Sequence, residues 1–179
     1  MTELEAIIAL NMVPDIGPLK MARMRRRFGG GSAVLNAWRR GLTSVEGIGT
    51  QTAENIHSWK NHCCPSEELE LAEKAGIHIL TIYSNEYPAL LREIPDPPPL
   101  LYVRGNVEAL HDSPPNVAVV GTRRPTDYGR RMARHFGESA AYSGVTVVSG
   151  LARGIDTVVQ QSAVDSGGVA VAVLGSGLG

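Results

Sequence analysis

Two hydrophobic rhythms divide the chain. Up to about residue 62 apolar positions recur at helical spacing, whereas from residue 116 short Val/Ala runs alternate with amphipathic stretches. Leu4, Ile7, Ile8 and Met12 predict a helix over 3–12. Gly17 then turns the chain, Pro18 suits a first helical position, and Gly29 to Gly31 stop the next helix after Phe28. Two more helices are predicted over 32–40 and about 50–59, joined by "VEGIGTQTAENI". The first 64 residues thus read as a small all-helical domain.

Pro65-Ser66, followed by Glu67 and Glu68, opens a further helix, because acids favour the positive end of a helix dipole. It ends at Gly76, and "IHILTI" (77–82) reads as a strand. The segment "SNEYPALLREIPDPPP" is too rich in proline for a central strand, so the next extended run is "LLYV" at 100–103. After "SPPN" the pattern becomes strand (117–120), helix (about 127–142), strand (145–149), helix (155–165) and strand (169–174). Met132, Ala133, Phe136 and Ala140 share one face of the first helix; Ile155, Val158, Val159 and Ala163 share one face of the second. Unbroken Val/Ala strands alternating with such helices predict an α/β domain, a parallel sheet with helices on both faces. The expected domains are 1–64 and 65–179.

Composition narrows the class. No apolar run approaches the roughly 20 residues that span a bilayer. The opening "MTELEAIIALNMVPDIG" carries acids where a signal peptide needs positive charge, so a cytoplasmic location is expected. The two cysteines, Cys63 and Cys64, are adjacent and make a poor disulfide framework. With His57 and His62 they fit no usual zinc spacing, and no metal site is expected. The net charge of −1 hides an acidic middle between two mildly basic ends, which permits an anionic partner at either end.

The candidate chemistry sits where the last three strands stop. Each predicted strand ends in small residues: "GTRR" (121–124), "SGLARG" (149–154) and "GSGLG" (175–179). Sheets of this kind bind ligands at the carboxyl ends of their strands. Glycines there allow close backbone approach, and helix N-termini offer amide donors to an anion. Arginine adds a bidentate grip on phosphate. The candidate phosphate-binding set is Gly121, Thr122, Arg123, Arg124, Ser149, Gly150, Ala152, Arg153, Gly154, Asp156, Gly175 and Ser176. Asp156 also has a simpler reading, as an acid that satisfies a helix N-terminus. The glycines also have one, as tight turns. GxGxxG after a strand and the P-loop pattern are absent, and no catalytic triad or carboxylate pair stands out. Tyr128 is a candidate stacking residue, with core packing as its alternative. The arginines at 23 and 25–27 read either as a solvated face or as a second contact with nucleic acid.

"YPALLREIPDPPPLLYVRGN", "VAVVGTRRPTDYGRRMA" and "VVSGLARGIDTVVQQSAVDSGGVAVAVLGSGL" together resemble the DNA processing protein A family, also called Smf. The resemblance implies an extended Rossmann-like domain, here C-terminally incomplete, preceded by a helix-hairpin-helix or SAM-like domain. It implies a DNA-binding recombination mediator rather than an enzyme, with no cofactor. Such a protein protects single-stranded DNA during natural transformation and helps to load RecA. It places Arg123 and Arg153 on phosphates, with Gly121, Ser149, Gly150 and Gly175 giving backbone access. Two departures stand out. The family's alanine-histidine pair is replaced within Val158-Val159-Gln160-Gln161, and the chain stops at Gly179, where family members continue. Full-length members form homodimers; this chain is expected to dimerise and to capture RecA poorly. The alternative is a nucleoside-monophosphate phosphoribohydrolase of the lysine-decarboxylase-like group, whose PGGxGT segment is not found here.

Overall fold

A computed structural model describes residues 1–111 and 114–178. The chain forms two compact units, Met1–Gly105 and Asn106–Gly179.

In the first unit α1 (Glu3–Met12) is the central helix. Thr2 and Glu5 cap it reciprocally, and Ala6 through Leu10 are all buried, so this helix is surrounded by protein. α2 (Pro18–Phe28) starts on Pro18 and ends at Gly29, whose φ of 92° is the left-handed conformation that glycine adopts freely. The predicted helix over 32–40 is instead two short ones, α3 (Gly31–Leu35) and α4 (Arg39–Leu42). The break has a local cause. The Asn36 side chain donates to the Ser32 carbonyl at 2.8 Å, closing α3, and Trp38 is extended before α4. α5 (Thr50–His57) gives way to a 3₁₀ turn at Trp59–Asn61. α6 (Pro65–Lys74) takes Cys64 as its N-cap and Pro65 as its first residue.

β1 (Ile77–Thr81) and β2 (Leu100–Arg104) form an antiparallel pair, with Ile77 opposite Arg104 and Thr81 opposite Leu100. Between them lie the short α7 (Ala89–Arg92) and Tyr87, whose buried ring donates its hydroxyl to the Pro98 carbonyl at 2.9 Å. Leu100 belongs to the helical core, and Leu69, Ile79 and Tyr102 pack against it. The division expected after residue 64 therefore falls inside this unit.

The second unit holds the parallel sheet, in order β3 (Asn116–Ala118), β4 (Thr146–Ser149), β5 (Ala170–Ala172). Val117 pairs with Val147, which pairs with Ala170. The α/β class and the Rossmann-like sheet are as expected. α8 (Asp127–Tyr142) and α9 (Ile155–Asp165) are the crossovers, and they pack on each other. A Cβ on Gly137 would lie 2.4 Å from the Val159 carbonyl oxygen, so only glycine allows the two helices this close. Val147, Ala133, Val159 and Ala163 form the core beneath them. The sequence predicts helices on both faces. These two share one, because the strand order advances in a single direction. Ala118, Val148 and Val171 lie on the other face by alternation and register. Among the described residues no helix is long and apolar enough to cross a membrane.

Candidate nucleic-acid site

The loops after β3 and β4 are built into one another. The Ile155 amide donates to the Thr122 carbonyl at 3.2 Å. Gly154 has a φ of 100°, and a Cβ there would sit 2.2 Å from that carbonyl oxygen and 2.8 Å from the Arg123 Cα. The backbone at Arg153-Gly154 and the backbone at Arg123 are thus in direct contact. The loops that carry Arg123 and Arg153, 30 positions apart in sequence, are thereby brought together. Gly121 is needed for a related reason: a Cβ there would lie 2.7 Å from the Ile155 side chain. These glycines serve loop-to-helix packing, a reason different from the ligand access expected of them.

The buried polar groups complete the lock. Asp156, only 6% exposed, accepts from the Gly121 amide at 3.1 Å through Oδ1 and from the Gly150 amide at 3.2 Å through Oδ2. The simpler sequence reading of Asp156, an acid at a helix start, is close to what the structure contains. The amides that it satisfies, however, belong to two other loops rather than to its own helix. Ser149 is buried too, and its hydroxyl donates to the Val119 carbonyl at 2.6 Å, joining the ends of β3 and β4. Thr157 donates its hydroxyl to the Ala152 carbonyl at 2.6 Å. Gln160 accepts from the Leu151 amide at 3.2 Å and donates to the Val171 carbonyl at 2.8 Å. Leu151, at a φ of 52°, is held by that bond in a conformation costly for a side-chain-bearing residue.

Gln160 and Thr157 were missed by the sequence reading. A signal existed, since Gln160 lies four residues after Asp156, on the same helical face.

What remains open to solvent is basic. Arg123, Arg124 and Arg153 are exposed, and none makes an ion pair among the described residues. The amides of Thr122, Arg123, Ala152, Arg153 and Gly154 donate to no acceptor among the described residues, whereas the Arg124 amide donates to the Thr122 hydroxyl at 3.2 Å. Tyr128, in the first turn of α8, is 65% exposed and is not a core residue. Gly175 and Ser176 are exposed, with open space around Gly175. No hydrogen bond among the described residues ties them to the other loops. The structure thus brings two of the three expected loops together.

Two of the four α2 arginines are employed differently, whereas Arg26 and Arg27 are exposed and make no ion pair among the described residues. Arg23 donates to the Glu46 carbonyl at 3.2 Å and approaches the Glu46 carboxylate at 3.6 Å. Arg25 pairs with Glu3, donates to the Tyr83 hydroxyl at 3.0 Å, and lies 4.2 Å over the Tyr83 ring. Glu3 also accepts from the Gly31 amide at 2.7 Å and the Ser32 amide at 3.3 Å, capping α3 from a distance in sequence. Burial would raise the Glu3 carboxyl, but the bonds from Gly31, Arg25 and Ser32 outweigh it and hold it below its ordinary value. No group of three or more metal-ligating side chains occurs among the described residues. Burial pushes the Cys63 thiol up, away from a reactive thiolate.

Known proteins resemble this chain in sequence and fold. A family model described as DNA recombination-mediator protein A matches residues 78–179. Protein Smf of Synechocystis is 38% identical over 176 residues, covering 96% of this chain and 44% of that protein. DNA processing protein DprA of Bacillus subtilis is 34% identical over 109 residues, covering 61% and 36% respectively. The X-ray structure of DprA from Streptococcus pneumoniae superposes with a TM-score of 0.77 at 25% identity, over 99% of this chain and 59% of that one. The chain thus spans less than half the length of these curated relatives. The matched segment contains both interlocked loops and the helix that locks them, and the chain belongs to the DNA recombination-mediator protein A family.

Proposed function

We propose that the protein binds single-stranded DNA through backbone phosphates at Arg123, Arg124 and Arg153. The observation that carries this reading is the pair of interlocked loops. Exposed arginines, unpaired among the described residues, stand there on backbone that buried contacts already hold still. Little conformational entropy is then lost when a guanidinium grips a phosphate. The free amides from Thr122 to Arg123 and from Ala152 to Gly154 add neutral donors, and Tyr128 offers a face for a base. The loops are too short to enter a groove, so phosphate contact dominates and sequence matters little.

As a recombination mediator, the protein would hand the bound strand to a recombinase. RecA is the one that the resemblance implies, and a cytoplasmic location fits. The test is an equilibrium titration of a labelled oligo-dT at several salt concentrations, with unlabelled single strand and duplex as competitors. Single strand is expected to displace the probe much better than duplex. Equal displacement would overturn the reading. A RecA pull-down with and without the oligonucleotide addresses the hand-over.

A further inference from the structure

We propose that Asp156 is a positioning residue of this site, an anion built into the protein that holds the two arginine-bearing loops in register. The proposal rests on the DNA-binding reading above. Its own basis is geometric.

Glycine amides at the carboxyl ends of parallel strands, facing a helix N-terminus, are where a Rossmann-like sheet ordinarily receives a ligand phosphate. Here the position is filled from within. One carboxylate oxygen takes the Gly121 amide and the other takes the Gly150 amide, so a single side chain bridges the ends of β3 and β4. The carboxylate is buried and lies tight against Gly150, where a Cβ would be 3.1 Å from its Oδ2, so both glycine amides already have their anion. One helical turn on, Gln160 ties Leu151 to β5. DNA phosphates are thereby kept out of the deep cradle and meet the protein at Arg123 and Arg153, beyond it. The arrangement excludes the small phosphate ligands of this fold and leaves an outer basic edge along which a strand can lie.

Asp156→Asn separates this proposal from simple electrostatics by the sign of its effect. Removing a negative charge beside a phosphate site should tighten DNA binding if only Coulomb attraction matters. If Asp156 positions the loops, the amide NH₂ of asparagine opposes a glycine N–H, one loop is released, and affinity falls by about tenfold. The loop-holding role is read without DNA, by hydrogen exchange at the Gly121 and Gly150 amides followed by NMR. In the wild-type chain both should exchange slowly and ignore added inorganic phosphate. In Asp156→Ala both should exchange at least about tenfold faster, and formate, against chloride at equal ionic strength, should restore protection. Val147 in the core strand is the control for folding.

Where Arg123→Ala weakens binding, tighter or unchanged DNA binding by Asp156→Asn would overturn the proposal, as would protected glycine amides in Asp156→Ala without formate. Rapid exchange at Gly121 and Gly150 in the wild-type chain would do so as well, whether or not either variant folds. If Arg123→Ala and Arg153→Ala bind DNA normally while the glycine amides behave as expected, the DNA-site reading fails and the loop-holding role of Asp156 stands.

Discussion

Two groups of arginines, one in each compact unit, show what context does to the same side chain. In the first unit Arg25, with a side chain only 14% exposed, is consumed by Glu3 and Tyr83, and Arg23 is engaged with Glu46. In the second, Arg123, Arg124 and Arg153 are exposed and unpaired among the described residues. By sequence alone the α2 run is the denser basic cluster. Density overstates that cluster, because Arg23 and Arg25 already have a carboxylate partner and little left for phosphate, which leaves only Arg26 and Arg27 exposed and unpaired among the described residues. The informative feature is a cation whose backbone is fixed and whose head is free.

The largest effect should come from Gly154→Ala. It combines a φ of 100° with a Cβ only 2.2 Å from the Thr122 carbonyl oxygen. Strain of this kind costs on the order of 1–3 kcal/mol, and the clash adds to it. Denaturant unfolding should show a loss of about 3 kcal/mol or more, with DNA binding abolished as the two loops part. A stable variant with normal affinity would remove the structural basis of the comparison.

Next come Arg123→Ala and Arg153→Ala. Each should weaken single-strand binding by roughly tenfold to a hundredfold, since hydrogen bonds to charged groups contribute about 1.5–3 kcal/mol. Each should also flatten the plot of log K against log salt by about 0.7 for every phosphate that the variant no longer neutralises. Both variants should melt like the wild-type chain. Arg25→Ala should do the reverse: a stability loss of about 1–2 kcal/mol and DNA affinity within about twofold of wild type. Equal loss of affinity from Arg25→Ala and Arg123→Ala would move the DNA site to the helical unit.

A smaller effect follows from pH. The Glu3 carboxyl titrates below its ordinary value of 4.5 in the folded chain, so its bonds to Gly31, Arg25 and Ser32 contribute stability that is fully present above that value. That contribution is lost as pH falls through the lower folded value. Glu3→Gln should therefore lower stability at pH 7 and flatten its decline below about pH 4.5. A parallel decline in both proteins would mean that the carboxylate is not held as described. Gly175→Ala is the smallest change. Nothing lies within 4 Å of its would-be Cβ, so stability should shift by no more than about 0.5 kcal/mol in a melting curve.

Much of this protein follows from local pattern. Helical periodicity, the Pro18 and Gly29 boundaries and the Val/Ala strands locate most elements within a residue or two, because caps and periodicity act over one or two turns of chain. The strand-end loops and their arginines are legible for the same reason. Three features came only from tertiary structure. Asn36 broke a predicted helix by bonding back to Ser32, a competition between side chain and backbone that periodicity does not register. The β1–β2 pair joined the helical unit because Leu100 completes a core whose other members begin as far back in the chain as Ala6. Asp156 and Arg25 received their roles from partners 35 and 22 residues distant in sequence. An amide and a carboxylate on separate elements carry no shared local signature, so only the fold decides whether an ionic side chain is free to meet a ligand or is already bound within the protein.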